Sequence, residues 1–398
     1  MTLRRLLSLS TLILTVLTSN AQNFLRDEQS IINFDNGIGF QTPDKRFGLN
    51  LRFRMQNRLG VTTYNDKNLD VKQIDAYVRR MRLRFDGYVI NQKLTYTVQL
   101  SFSRSDIDFA NVTYPQIIRD AMVYYNFNPN FYIGIGQGKL PGNRQRVISS
   151  GSLQFVDRSD VNGLFTLDRD YGIFAYKKFP VGKSEFILKG ALSTGEGRIN
   201  EAGSNKIATT VRGEYLPFGG FAKFGDYSEG DIAREQTPKL SFGAGYSVNS
   251  GTTRTAGQLG AFMKETRWME YIFADMIFKY RGIAVEAEYM QRNTGNPVVT
   301  GLDSKPLFIY KGNGTNVQAS YCFKSNYEIA GRYSKINPDE QIRSLTTPYD
   351  VYGLGVSKYI TGHRTKLQFN LFYKDQPAIG NLASKSNYSA IFQVELGI

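Results

Sequence analysis

The sequence predicts an all-β, transmembrane antiparallel β-barrel of about 16–18 strands with a long loop folded into its lumen. Most segments alternate apolar and polar residues with a period of two, which is typical of strands. Short and long connections alternate along the chain, and no apolar run beyond the first residues is long enough for a transmembrane helix. A closed barrel explains these observations together, because lipid surrounds its apolar outer face and water fills its polar interior.

The chain begins with a predicted export signal. Arg4 and Arg5 precede the apolar run 6–17, and the small-residue ending Ser19-Asn20-Ala21 follows it. A membrane anchor needs about 20 apolar residues, and this run is shorter. We therefore expect residues 1–21 to be a cleaved signal peptide and the mature protein to reach the cell outer membrane.

Composition limits the classes of partner and site. The formal net charge is +14, which in an exported protein favours anionic solutes, lipopolysaccharide or acidic partners over nucleic acid. The single cysteine, Cys322, excludes an internal disulfide framework and leaves thiol-ligand metal sites without material. We expect no metal site and no cofactor.

The first two predicted strands carry arginines on one face. Residues 22–46 lack alternation and are expected to be an irregular N-terminal lead-in, and alternation begins at Phe47. A hairpin around the polar stretch 64–73 would place Arg52 near Arg84 and Arg54 near Arg82. The predicted pore-lining, anion-binding residues are Arg52, Arg54, Arg58, Arg80, Arg82 and Arg84.

The alternation continues to Gly138 and then stops. The following stretch, 140–168, is too long for a hairpin turn, and loops of more than about 12–15 residues are usually functional or disordered. Gly134, Gly136 and Gly138 are small inward-facing residues that leave room beside them. We interpret 140–168 as a constriction loop inside the lumen, with these basic residues in it or at its edges: Lys139, Arg144, Arg146, Arg158 and Arg169.

The remaining chain repeats the pattern in a single domain, 47–398. Short turns are predicted at 179–182, 217–220, 281–282, 324–326 and 361–363, and longer loops near 194–206, 226–238, 293–309, 337–348 and 375–386. Counting hairpins gives 18 strands, or 16 because 250–268 is ambiguous.

Enzymatic functions lack the necessary residues. A hydrolase needs a nucleophile and a general base, most often histidine. The single histidine, His363, falls in a predicted turn, and the glycines of 134–138 precede no helix that could bind a nucleotide. We predict that the protein is not an enzyme and has no catalytic residues.

Several segments resemble, in order, the phosphate-selective porin O and P family. They are 79–83, 124–127 with 132–137, 153–159, 214–219, 225–231 and 393–396, and the resemblance extends over residues 47–398. It implies an outer-membrane barrel, usually trimeric, that passes anions by passive diffusion. In this family an arginine ladder and a lysine-rich constriction select phosphate or polyphosphate.

The ladder carries over to the six arginines named above. The constriction lysines do not, because the loop here carries arginines and aspartates, with Lys139 only at its edge. The partners implied are outer-membrane lipid and lipopolysaccharide, small anions such as phosphate, and further copies of the chain in a homotrimer. No nucleic acid is expected.

The predicted function is passive diffusion of small hydrophilic solutes with a preference for anions, phosphate being one candidate. Two alternatives stay open. Inward acids could neutralise the arginines and produce a general, non-selective porin, or a plugged barrel could act in adhesion or envelope assembly. The acids predicted to face inward are Asp86, Glu214, Glu286, Glu288, Glu328 and Glu395.

Overall fold

The polypeptide forms a closed antiparallel barrel, which confirms the predicted all-β class. A computed structural model describes residues 31–34, 37–103, 106, 116–198 and 205–398. The predicted signal peptide, 1–21, lies outside these residues. The first strands are β1 (Ile31–Asn33), β2 (Ile38–Gln41), β3 (Phe47–Thr63), β4 (Val71–Val89), β5 (Asn91–Ser101), β6 (Ile118–Asn128), β7 (Phe131–Lys139), β8 (Arg169–Val181), β9 (Ser184–Ser193) and β10 (Ala208–Leu216).

The second half of the barrel follows after a long connection. Its strands are β11 (Lys239–Arg254), β12 (Phe262–Tyr280), β13 (Ile283–Asn293), β14 (Val298–Thr300), β15 (Pro306–Phe308), β16 (Gly312–Cys322), β17 (Tyr327–Pro338), β18 (Tyr349–Thr361), β19 (Thr365–Asp375) and β20 (Asn387–Gly397). Sixteen of the described strands, β3–β13 and β16–β20, form the barrel, and β20 closes it by pairing with β3. The lower of the two predicted strand counts is therefore confirmed.

The count of 18 was too high because two predicted connections are one. The turn at 217–220 and the loop at 226–238 belong to a single connection, 217–238, which contains the 3₁₀ segment Ala222–Tyr227. Lys223 and Phe224 have φ of 53° and 57°, a left-handed conformation that cannot continue a strand. The ambiguous stretch 250–268 forms the end of β11, the connection 255–261 and the start of β12.

The N-terminal lead-in is more regular than its composition predicts. β1 pairs with β2, and β2 pairs with β3 at Gly48–Leu51. β20 covers the same edge of β3 only from Arg54 to Thr62. The lead-in therefore extends the wall beyond the end of β20.

Exposure alternates along the strands as a barrel in lipid requires. In β17, Glu328 and Arg332 are buried, whereas Ile329 is 54% exposed. In β18, Leu354 is 65% exposed. Apolar residues tolerate this outward position because hydrocarbon surrounds the barrel. Among the described residues, no helix combines the length and apolar character needed to cross a membrane.

The long loop enters the lumen, as predicted. It contains helix α1 (Arg144–Val147) and helix α2 (Asp160–Phe165). Val161 and Phe165 of α2 pack into a buried apolar cluster with Met290 of β13 and Ile336 of β17. Val299 of β14 joins the same cluster. Part of the interior is thus filled by protein, which limits where solutes could pass.

Candidate functional site

The predicted arginine pairs lie opposite each other on the inner face of β3 and β4. Arg52 is the register partner of Arg84, and Arg54 is the partner of Arg82. A β-bulge interrupts the register after Gln56 and Arg80, and the extra residue is Arg79. The bulge turns Arg79 toward the lumen as well, where it pairs with Asp157 at 3.2 Å.

Carboxylates partly neutralise these arginines, as the alternative of a general, non-selective porin predicts. Asp86 pairs with both Arg52 and Arg84, and Glu395 lies 3.7 Å from Arg54. Farther along the ladder, Arg82 pairs with Asp106 at 2.5 Å. Asp157 of the loop takes the others, Arg58, Arg79 and Arg80, at 2.5–3.3 Å. The arginines outnumber the described carboxylates that pair with them, so the wall stays positive.

Asp157 and Ser150 attach the loop to this wall. Burial opposes ionisation of Asp157, but Arg79, Arg58 and Arg80 outweigh it and hold the pKa of that carboxyl well below its usual range. Ser150 Oγ accepts hydrogen bonds from Arg54 at 2.8 Å and from Arg82 at 3.0 Å.

On the opposite side, Arg144 attaches the loop to the barrel. Its guanidinium is fully buried and donates to Asp275 of β12 at 2.7 Å. Arg212 of β10 binds the same carboxylate at 2.6 Å and also Glu214. Asp275 and Glu214 outweigh the desolvation of Arg144 and raise its pKa. Arg144 is therefore enclosed by structural partners. It does not lie with the other predicted loop cations.

Removing the shared carboxylate should destabilise the loop. In Asp275→Asn, two buried guanidiniums lose a charged acceptor, and breaking buried pairs costs about 3–5 kcal/mol. We expect a loss of about this size in the free energy of unfolding, measured by guanidinium titration of the protein in lipid vesicles. The control is Asp303→Asn, which removes an exposed carboxylate that pairs with Lys305. It should change the free energy of unfolding by less than about 1 kcal/mol. Equal effects in the two variants would contradict an anchoring role for Asp275.

The loop also covers the wall formed by the last strands. Lys366 of β19 donates to the backbone oxygens of Gly151 and Leu153, at 2.9 and 2.7 Å. Gln368 donates to Gln154 O at 2.9 Å, and Asn370 accepts from Val156 N at 2.8 Å. Together with the apolar cluster, these contacts fill the lumen beside β12–β20.

A cationic cavity remains beside β4–β8, on the side of the long connections. This upper cavity has a volume of about 370 Å³. Within the described residues, nine cationic side chains and two carboxylates line it: Arg79, Arg80, Arg82, Arg119, Lys139, Arg146, Arg158, Arg169, Arg198, Asp106 and Asp168. The structure therefore brings two predicted ladder arginines together with four of the five predicted loop cations.

Three arginines of the upper cavity were not predicted as site residues: Arg79, Arg119 and Arg198. Arg119 is, like Arg79, the extra residue of a β-bulge, here between Gln99 and Leu100 of the partner strand. A bulge changes the face on which the following residues lie, and local alternation does not reveal it. Arg198 follows β9 in a connection and donates to the backbone oxygen of Gln116 at 3.3 Å.

Two cations of the upper cavity are held mainly by neutral carbonyls. Arg158 donates to Gln145 O at 2.6 Å, and Lys139 donates to Val147 O at 2.8 Å. Neither forms an ion pair with a carboxylate in the described part of the chain. Burial, with the nearby charge of Arg146, lowers the pKa of Arg158 well below its ordinary value. An anion in this cavity would relieve that unfavourable charge.

A second cationic cavity lies beside Ser149, Gly151 and Ser152 of the loop. This lower cavity, of about 360 Å³, is lined by Arg52, Arg54, Arg82, Arg84 and Arg364, with Glu395 and His363. Arg82 contributes to both cavities. His363 lies in the predicted turn, and burial lowers the pKa of its imidazole well below the usual range. No described residues form a cluster suited to a metal ion.

The chemistry of the two cavities favours oxyanions. A guanidinium donates two parallel hydrogen bonds to phosphate or carboxylate and stays charged at neutral pH. Successive cationic sites along a channel let an ion bind weakly and leave again. The predicted inward acids Glu214, Glu286, Glu288 and Glu328 are all buried on the other side of the lumen. These four acids therefore lie away from the arginine wall of β3 and β4, and Glu214 pairs with Arg212 instead.

Similar proteins support this architecture. An anion-selective porin from Comamonas acidovorans superimposes with a TM-score of 0.52 at 12% identity, covering 88% of this chain and 100% of that one. The trimer form of OmpT from Vibrio cholerae gives a TM-score of 0.52 at 11% identity, covering 88% and 99%. At identities this low, the superpositions show a shared fold alone.

Sequence comparison identifies the family. An uncharacterised protein of Aquifex aeolicus is 24% identical over 361 residues, or 82% of each chain. The family model described as phosphate-selective porin O and P matches residues 49–378, which is most of the barrel. The chain belongs to the phosphate-selective porin O and P family, and it is an outer-membrane β-barrel of the porin type.

Proposed function

We propose that this porin conducts small anions by passive diffusion through a path displaced toward β3–β8. The observation that carries the proposal is the upper cavity, where nine cationic side chains face two carboxylates among the described residues. The loop fills much of the lumen beside β12–β20, and the two cationic cavities adjoin the arginine wall. Conduction would then run from the upper cavity to the lower cavity past Arg82, which lines both.

Phosphate is the anion that this geometry suits best. Two phosphate oxygens can accept the two parallel hydrogen bonds of one guanidinium group. Chloride is a single atom and cannot match this geometry. The upper cavity offers Arg158 and Lys139, which neutral carbonyls hold. We expect the family's lysine-rich constriction to be replaced here by these loop and strand residues, with Arg146 and Arg169 as the further members.

We also propose that the protein acts as a homotrimer without enzymatic activity. The OmpT structure that shares this fold is described as a trimer. The family consists of channels, which fits the position of His363 in a turn, beside Arg364.

A plugged barrel is the second candidate, because Ser150 of the loop binds Arg82, which lines both cavities. Its hydroxyl and carbonyl oxygens accept hydrogen bonds from Arg54, Arg82 and Gln56. If this contact closed the lumen permanently, the protein would carry no current and would act through its surface instead.

Planar-bilayer recording tests both proposals. We expect stepwise conductance in KCl, and we expect millimolar phosphate added at constant ionic strength to reduce the chloride current. Sulfate serves as a control for doubly charged oxyanions. Absence of steps would favour the plugged barrel. Steps that phosphate leaves unchanged would contradict phosphate binding while leaving a general anion porin.

A further inference from the structure

The outer wall of the barrel contains a recess that faces the membrane. It has a volume of about 620 Å³ and lies on the outer face of β17–β20 and β3. This volume is within the range of about 300–1,000 Å³ found for small-molecule sites. Its walls include Val61, Leu354, Leu371 and Ala390, so its occupant must be apolar.

A row of tyrosines borders the recess. Tyr333, Tyr352, Tyr373 and Tyr388 are successive register partners on β17, β18, β19 and β20. Neighbouring ring centroids are 5.2, 6.2 and 4.7 Å apart. Tyr333 also donates its hydroxyl to Asp350 at 2.9 Å. Tyrosines with one apolar and one hydrated end mark the boundary between hydrocarbon and water.

The recess lies one row deeper in the hydrocarbon. Gly331, Leu354, Leu371, Ala390 and Val61 are register partners across the five strands. Two of these five positions carry a side chain no larger than a methyl group. A methyl group added to Gly331 would meet no atom within 4 Å, so the space beside it is open.

The next row toward the membrane centre has no small residue. It consists of Ile329, Val356, Phe369, Phe392 and Leu59, which pair in the same register. Large side chains therefore close the recess below, and the tyrosine row closes it above. The recess therefore extends from the tyrosine rings to the small residues of the row below them.

The recess belongs to the leaflet on the side of the long connections. Val61 lies near the end of β3, before the loop 64–70, and Ala390 lies near the start of β20, after the loop 376–386. Long loops of outer-membrane barrels are extracellular. The adjoining leaflet is the outer one, which lipopolysaccharide occupies.

We propose that this recess binds an acyl chain of lipopolysaccharide. The tyrosine row decides between lipid and a neighbouring subunit, since it places the surface at a lipid–water boundary rather than inside a protein contact. The acyl chain lies along the Gly331–Val61 row, below the tyrosine rings. This site is independent of the conduction path on the inner face.

Retention of lipid by the purified protein tests the site. Full-length protein is extracted from outer membranes in detergent, and lipid A is quantified per chain by mass spectrometry. Gly331→Leu and Ala390→Leu each fill the recess and should reduce the retained lipid A several-fold. Gly213→Leu is the matched control, because Gly213 of β10 is also an outward glycine with no atom within 4 Å of an added methyl group.

The outcomes separate lipid from the other occupants. Reduced lipid A in both recess variants, with wild-type levels in Gly213→Leu, supports the proposal. Equal lipid A in all four proteins overturns it. Loss of the oligomer in the recess variants without loss of lipid A would also overturn it, by making the recess a subunit contact. Recovery of phospholipid instead of lipid A with the wild-type protein would also overturn the proposal.

Discussion

Replacing Arg80, Arg82 and Arg84 together with glutamine is expected to lower the anion-to-cation permeability ratio by about tenfold. The three arginines lie on the inner face of β4, and each lines at least one of the two cavities. A unit charge about 8 Å from a passing ion contributes about 2 kcal/mol at an effective dielectric constant of about 20. Salt screens part of that energy, and 1.4 kcal/mol corresponds to a factor of ten.

The measurement is the reversal potential in a KCl gradient at low total salt, where screening is weakest. The matched control replaces three exposed cations of the long connections, Lys305, Arg343 and Lys385, with glutamine. It removes the same net charge outside both cavities and should leave the reversal potential within about 10% of wild type. An unchanged ratio in the ladder variant would show that Asp86, Asp106 and Asp157 already neutralise these arginines.

Replacing residues 144–165 with a short glycine–serine linker is expected to raise conductance several-fold and to weaken the anion preference. The ends of this segment are adjacent, because Thr166 Oγ donates to Asn143 Oδ1 at 2.8 Å. The replacement removes three arginines and two aspartates, a net charge of +1, and opens the space that α2 fills. It also uncovers Asp275, Glu286 and Glu288, which the loop now covers.

The sign of the change makes this a strict test of the loop's role. A loop that only narrowed the lumen would raise conductance and leave the ion preference unchanged. A loop that also covers acids should weaken the anion preference once it is gone. Folding of the variant is checked by its heat-modifiable mobility in detergent gels. A folded variant with wild-type conductance would contradict the placement of 140–168 in the lumen.

The strands were predictable because side chains alternate strictly between lipid and lumen. That period predicted the register of Arg52 with Arg84 and of Arg54 with Arg82, which the structure confirms. It failed at Arg79 and Arg119, since each is the additional residue of a bulge. The fold of 217–238 was missed because local alternation does not reveal left-handed residues such as Lys223 and Phe224.

The contacts of the loop depend on residues far away in the chain. Arg144 and Asp275 are 131 positions apart, and local patterns carry no information about such a pair. The sequence therefore predicted that 140–168 enters the lumen but placed Arg144 with the constriction rather than with its anchor. The upper cavity likewise draws its cations from β4, β6, β7, β8, the loop and the connection after β9.

The sign of the reversal potential of the wild-type protein tests the central claim most directly. In a tenfold KCl gradient across a planar bilayer, the positive wall beside β3–β8 predicts a potential that reports preferential chloride flow. A potential near zero would indicate that the inward acids balance the arginines. A potential that reports potassium preference would contradict the proposed anion path.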